Sequence, residues 1–286
     1  MNVKRTLLIQ LCLVLVLGVF AIAKDAKPKK SKAKKPIATS TAQPASTQPT
    51  AAPVAASDTT TVANAAAPAT PAAPAKPADN GSSLEKVLTA MDQQAATFHN
   101  AQADFIWDQY TKVVDDHDQQ KGTIYFRRQS KNDVEMFADI TQPSKQVLFA
   151  DGKVRLYEPK VDRITEYDAG KNKSDFESFL VLGFGGAGHD MAKSFDVKYA
   201  GMEQTQGVNT AKLELTPKSS RVRGMFTNII LWIDPAKGVS VQQQFFDHDG
   251  NYRLAKYSNI QLNQKLGDDK FKLKTTSKTS VVRPNS

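Results

Sequence analysis

A mainly β fold with a few helices is what this 286-residue chain predicts, built as one large antiparallel sheet of about eleven strands with helices on its concave face. Three observations carry that expectation. Beyond Asn100, apolar and polar residues alternate in a succession of short runs. Turn dipeptides separate many of those runs. One amphipathic helix precedes the strands, and one glycine-broken apolar segment interrupts them.

Residues 1–23 read as a secretory signal peptide: Lys4 and Arg5 open it, an apolar run extends from Thr6 to Ala21, and Ala21-Ile22-Ala23 forms an A-x-A cleavage site. The stretch from Thr6 to Ala23 is 18 residues, the lower edge of what spans a bilayer, so an uncleaved inner-membrane anchor is the alternative. Leu11 is too large for the small residue that lipidation at Cys12 would need. Cleavage after Ala23 removes the sole cysteine, and with it disulfides, thiolate catalysis and cysteine metal sites. An exported protein of the periplasm is the expectation.

Residues 24–81 read as a disordered linker, first Lys-rich (Lys24, Lys27, Lys29, Lys30, Lys32, Lys34 and Lys35) and then Pro/Ala-rich. Nine of the fourteen prolines lie before residue 80, which favours an extended spacer over a Gly/Ser coil. The net charge of +9 is concentrated here: residues 1–80 carry +7 and the remainder only +2. The folded part is nearly neutral, which argues against a nucleic-acid partner.

The folded domain, residues 82–286, opens with a helix. Ser82 and Glu85 have capping-box spacing, and Leu84, Val87, Leu88, Met91, Ala95 and Phe98 recur on one face. Strands follow around Ala103–Trp107, Ile124–Arg128 and Val134–Ile140, then at Val147–Ala150, Val154–Tyr157 and Ile164–Tyr167. From Asp175 to Met191, Phe176, Phe179, Leu180 and Met191 predict one or two short helices broken by Gly183, Gly185, Gly186 and Gly188. Strands resume at Phe195–Tyr199, Ala211–Leu215, Met225–Ile233, Val239–Phe246, Tyr252–Ile260 and Phe271–Leu273. Asp151-Gly152, Ala169-Gly170, Lys237-Gly238 and Asp249-Gly250 supply turn residues that tolerate positive φ. A sheet this large must curl; a closed barrel is the alternative.

Catalytic and cofactor patterns are weak. Gly183-x-Gly185-x-x-Gly188 has dinucleotide-binding spacing but no βαβ unit around it, and reads as a flexible break between helices. Asp115, Asp116, His117 and Asp118 read as a solvated turn rather than a metal site. Asp247-His248-Asp249-Gly250 reads as a hairpin tip without the Glu that closes a calcium loop. There is no G-x-S-x-G elbow, and His99, His117, His189 and His248 have no evident nucleophilic partner. A protein without enzymatic activity, cofactor or metal is the expectation. The strands, by contrast, carry an apolar surplus: both faces are apolar in Asn228–Ile233 and again at Phe245-Phe246.

The order of segments from Leu84 to Val282 resembles the LolA-type outer-membrane lipoprotein carrier family. The matching stretches are Gly122-Thr-Ile-Tyr-Phe-Arg-Arg128, Thr141-Gln-Pro-Ser-Lys-Gln-Val-Leu-Phe-Ala-Asp-Gly-Lys153 with Leu156-Tyr157, Leu213-Glu-Leu-Thr-Pro-Lys218, and Ile230-Leu-Trp-Ile-Asp-Pro-Ala-Lys-Gly238. Asp249-Gly250, Tyr257-Ser-Asn-Ile260 and Phe271 follow in order. The resemblance implies an incomplete β-barrel, a half-barrel closed by helices, whose cavity shelters the acyl chains of lipoproteins or another lipid in transit from inner to outer membrane. It implies as partners an inner-membrane lipoprotein-releasing ABC transporter and an outer-membrane receptor, with a monomeric carrier between them. Arg128 matches the family's lid-holding arginine, although Gln129 stands where a proline usually follows. The expected acyl-chain lining is Phe105, Trp107, Ile124, Phe126, Met136 and Ile140 from the sheet, with Leu88, Met91, Phe176, Phe179 and Leu180 from the helices. A membrane-anchored sensor or regulatory domain on the same fold is the competing class.

Overall fold

The computed structural model describes residues 80–130, 133–170 and 173–284, without the side chains of residues 174–176. The expected signal peptide, its cleavage site and the linker up to residue 79 lie outside the described residues; Asn80 and Gly81, expected in the linker, open the first helix instead.

Helix α1 (Asn80–Thr97) leads into a meander of six strands: β1 (Asn100–Thr111), β2 (Asp116–Ser130), β3 (Asp133–Gln142), β4 (Ser144–Ala150), β5 (Lys153–Glu158) and β6 (Arg163–Asp168). Helices α2 (Lys173–Leu180) and α3 (Gly188–Ser194) come next. A second meander follows: β7 (Phe195–Thr205), β8 (Val208–Pro217), the helical turn α4 (Ser220–Arg223), β9 (Asn228–Asp234), β10 (Val239–Phe246) and β11 (Tyr252–Leu262). Strand β12 (Ser280–Val282) ends the series.

All twelve strands form one open sheet in the order β12-β6-β5-β4-β3-β2-β1-β11-β10-β9-β8-β7. The two meanders meet where β1 pairs antiparallel with β11. The expected closed-barrel alternative is thereby set aside, and the half-barrel with helices on one face is what forms. The path of the chain explains the cover: β6 lies beside one edge and β7 is the other, so the connection between them must cross the sheet, and it does so over the concave face, where Leu180, Leu182 and Phe184 join the core. Strand alternation turns Ala101, Ala103, Phe105 and Trp107 of β1, Ile124 and Phe126 of β2, and Met136, Ala138 and Ile140 of β3 toward α1 and that connection, in one apolar core.

Three local expectations are corrected. Phe271–Leu273 is not a strand: residues 268–271 make a 3-10 turn, and Phe271 packs on Phe137, Leu148 and Ala150 of the outer face. Arg127 secures it, with its guanidinium 4.2 Å above the Phe271 ring and ion-paired to Glu135 and Asp268. The last strand is instead β12, parallel to β6. Second, the run from Met225 enters the sheet only at Asn228, because Met225 and Phe226 turn into the core after α4. Third, only Asp115 of the acidic cluster lies in the turn; Asp116, His117 and Asp118 continue β2, and the His117 Nδ1 meets Asp108 at 2.9 Å.

Candidate functional site

The site lies where the covering segment meets the concave face. Arg128 stands near the end of β2, two residues beyond Phe126 on the inward side. Its Nη1 donates to the Ala95 carbonyl at 2.9 Å and its Nη2 to the Gly185 carbonyl at 2.7 Å. Ala95 is in the last turn of α1, where carbonyls lack intrahelical partners and the helix dipole is negative, so a cation is favoured there. The guanidinium carbon also sits 5.3 Å from the centre of the Phe98 ring. Burial pushes the Arg128 pKa down, but from so high a starting value that the group stays charged. Where the family pattern has proline after this arginine, Gln129 leaves β2 free to continue to Ser130, which pairs with Asp133. The Gln129 amide donates to Glu135 at 3.1 Å.

Between α2 and α3 the chain folds into a tight plug, residues 181–187, which forms a lid together with the two helices. Phe184, only 1% exposed, reaches down into the half-barrel, its ring 5.2 Å from that of Phe126 and edge-on to Tyr257 at 4.7 Å. Strand β10 holds the plug from the side opposite Arg128. The Ser240 N–H donates to the Gly183 carbonyl at 2.8 Å, and the buried Gln243 amide donates to the Leu182 carbonyl at 2.6 Å. Tyr257 donates in turn to Gln243 Oε1 at 3.4 Å. The glycine spacing has its explanation here. Gly185 takes a φ of +86° and a Cβ on it would lie 2.5 Å from the Phe98 ring, while one on Gly188 would lie 2.6 Å from the Leu88 carbonyl. The G-x-G-x-x-G run is therefore a close-packed turn rather than a flexible break.

His189 of α3 ties the lid to α1. Its Nδ1 meets Asp92, its Nε2 lies 3.1 Å from Glu85, and its backbone N–H donates to Asp92 at 3.1 Å. The hydrogen bond to Asp92 raises the His189 pKa. Burial acts to raise the Asp92 pKa, but the bonds from His189 outweigh it and hold the carboxyl below its usual range.

Of the expected lining residues, Leu88, Met91, Phe105, Trp107, Ile124, Phe126, Met136, Ile140 and Leu180 are buried in a single cluster, with Phe179 packed against it. Phe176 falls on α2, but its side chain lies outside the described residues. These side chains are packed on the lid rather than around an empty barrel. A cleft of about 710 Å³ lies at the lid's margin, bordered by Met91, Ala95, Arg128, Val134, Glu177, Gly185 and Met191 among others. Burial raises the pKa of Glu177 there, against the opposing pull of Lys173. Sequence reasoning missed Phe184, Gln243 and Ser240. Phe184 stands among glycines where no periodicity marks it, and the two polar residues look like ordinary strand positions.

A family model described as "Outer membrane lipoprotein carrier protein LolA" matches residues 96–274. No curated protein matches the chain. Among solved structures, an uncharacterized conserved protein from Thermus thermophilus is 13% identical, with a TM-score of 0.46, over 70% of this chain and 99% of that one. MucB in the Pseudomonas aeruginosa MucA/MucB complex is 15% identical, with a TM-score of 0.40, over 68% of this chain and 61% of that one. LprF from Mycobacterium bovis is 13% identical, with a TM-score of 0.40, over 65% of this chain and 95% of that one.

Proposed function

The chain belongs to the outer-membrane lipoprotein carrier (LolA) family, and from that premise we propose that it is a periplasmic, non-enzymatic carrier of acylated cargo, with its binding space filled by its own lid until cargo displaces it. One observation carries the reading: Phe184 occupies the half-barrel against Phe126 and Tyr257, on a plug held by hydrogen bonds from two sides. A permanent core has no need of an arginine buried at the lid seam, because burying its charge costs stability that an apolar residue would not. A reversible seam does, since two charge-assisted bonds can open into water without leaving an orphaned group.

An acyl chain entering this face would replace Phe184 by methylenes at ~0.8 kcal/mol each, so a sixteen-carbon tail gains on the order of 10 kcal/mol before the lid is moved. The cargo on this reading is a lipoprotein or other acylated lipid, in keeping with the family's description as outer-membrane lipoprotein carriers; the partners it calls for are an inner-membrane lipoprotein-releasing transporter and an outer-membrane receptor.

Native mass spectrometry with organic extraction, on full-length protein purified from its own cell, tests this. Acylated species that co-purify, and displacement of an apolar dye by long-chain acyl compounds, are the expected results. Protein that is empty and takes up no apolar dye would refute the carrier reading and favour a sensor or scaffold on the same fold.

A further inference from the structure

At the rim away from Arg128 and the lid, the concave face carries further hydrogen-bonding capacity that the protein does not use. Arg253 lies on β11 two residues before Ala255 and four before Tyr257, both of which face the core. It is paired in register with Gln109 of β1 on one side and Phe245 of β10 on the other. Its Nε donates to Gln109 Oε1 at 2.6 Å, and its Nη1 is buried without a partner. Burial pushes the Arg253 pKa down to about 10, with Asp247 opposing, so the group is still a cation at neutral pH.

On the other flank of β1 is Gln120, paired in register with Trp107 and only 4% exposed. Its Nε2 makes a long bond of 3.4 Å to Asp118, and its Oε1 is buried without a partner. An unspent donor and an unspent acceptor thus lie on either side of β1, beside Trp107 and Phe245. Buried groups of this kind are ordinarily satisfied, and one that is not calls for an explanation, which a bound ligand would supply.

We propose that Arg253 and Gln120 form a polar anchor for the head of an acyl ligand, Arg253 Nη1 donating to a carboxylate or carbonyl oxygen and Gln120 Oε1 accepting from an N–H or O–H beside it. The inference rests on the carrier reading and adds an orientation to it. Gln120 and Arg128 are eight positions apart on β2, roughly 26 Å at ~3.3 Å per residue. A long acyl chain anchored at Arg253 would run along Ile124 and Phe126 toward Phe184. The head would emerge beside the turns at residues 112–115 and 247–250, where a peptide or glyceride could continue into solvent.

The test titrates full-length wild type and Arg253→Met with hexadecanoic acid, its methyl ester and a neutral hydrocarbon dye. The variant should bind the acid or the ester roughly tenfold more weakly, or worse, while dye affinity holds. Loss of the acid alone identifies a free carboxylate as the anchored group; equal loss of acid and ester identifies a carbonyl, as in an acylated peptide. Unchanged affinity for all three overturns the anchor while leaving the carrier intact, whereas a wild type that binds none of them overturns the carrier reading and the anchor with it. Should Arg253→Met not fold, Gln120→Met removes the acceptor, along with the long bond to Asp118. It should weaken hexadecanamide several-fold and spare the methyl ester, and an unchanged amide affinity overturns the anchor.

Discussion

Replacing Arg128 with leucine should loosen the lid and tighten, not weaken, the uptake of apolar ligands. The side chain supplies two hydrogen bonds across the seam, at 2.9 Å to α1 and 2.7 Å to the plug. A hydrogen bond to a charged group contributes ~1.5–3 kcal/mol, so the pair supplies ~3–6 kcal/mol before the cost of desolvating the guanidinium is subtracted. That desolvation is real here, since burial alone lowers the Arg128 pKa. A net shift of about 2 kcal/mol toward the open lid is the outcome, or roughly 30-fold in the open population. If ligand enters only the open form, apparent affinity rises by the same factor, because it scales with the competent fraction. Titration with a neutral environment-sensitive dye, in parallel with amide hydrogen exchange of residues 181–194, reads both quantities. An Arg128→Leu protein with unchanged or weaker dye binding and unaltered exchange in those residues would refute the latch.

Phe184→Ala deletes the plug's largest buried group, so the closed protein should lose ~3–5 kcal/mol of stability in denaturant unfolding while its affinity for long acyl chains rises. The tether at His189 should respond to pH: its raised pKa means that its contribution is full below about 6.5 and is lost as pH climbs through the raised value, while the lowered pKa of Asp92 makes it fail again in strong acid. Hydrogen exchange in α3 should therefore quicken with rising pH beyond its intrinsic trend, and His189→Gln should flatten that response. Glu166 is held down to about 2, first by the Arg155 hydrogen bond and further by Arg283, so acid should release β12 from β6 as pH falls from about 4.5 toward that value. Glu166→Gln should remove this acid transition from the fluorescence or dichroism profile.

The half-barrel was legible because strand alternation is a property of each strand alone. Phe105 and Trp107, or Ile124 and Phe126, announce their common face without reference to any partner. Arg128 was legible for the same reason, being two residues beyond Phe126. What failed to show were features decided by long-range packing. Phe271 and Leu273 alternate like a strand, yet β4 already pairs with β3 and β5, so Phe271 can only lie flat on the outer face beside Phe137 and Leu148. Phe184 is invisible for a different reason: its neighbours Gly183, Gly185 and Gly186 leave no pattern, and the roles of Gly183 and Gly185 depend on Ser240 and Phe98, far away in sequence.

The same packing explains how a carrier can hold a greasy chain and still give it up. A rigid empty cavity of this chemistry would bind an acyl tail with most of the gain from ~0.8 kcal/mol per methylene, and release would be slow. On the proposed carrier reading, the tail would first have to displace a phenylalanine worth ~1.5–3 kcal/mol of burial, together with the bonds from Arg128, Ser240 and Gln243. Those interactions would re-form on release, so the lid would act as an internal competitor that is always at hand. Affinity is then set by a difference between two similar fillings of one space, and strengthening or weakening the seam moves loading and release in opposite directions.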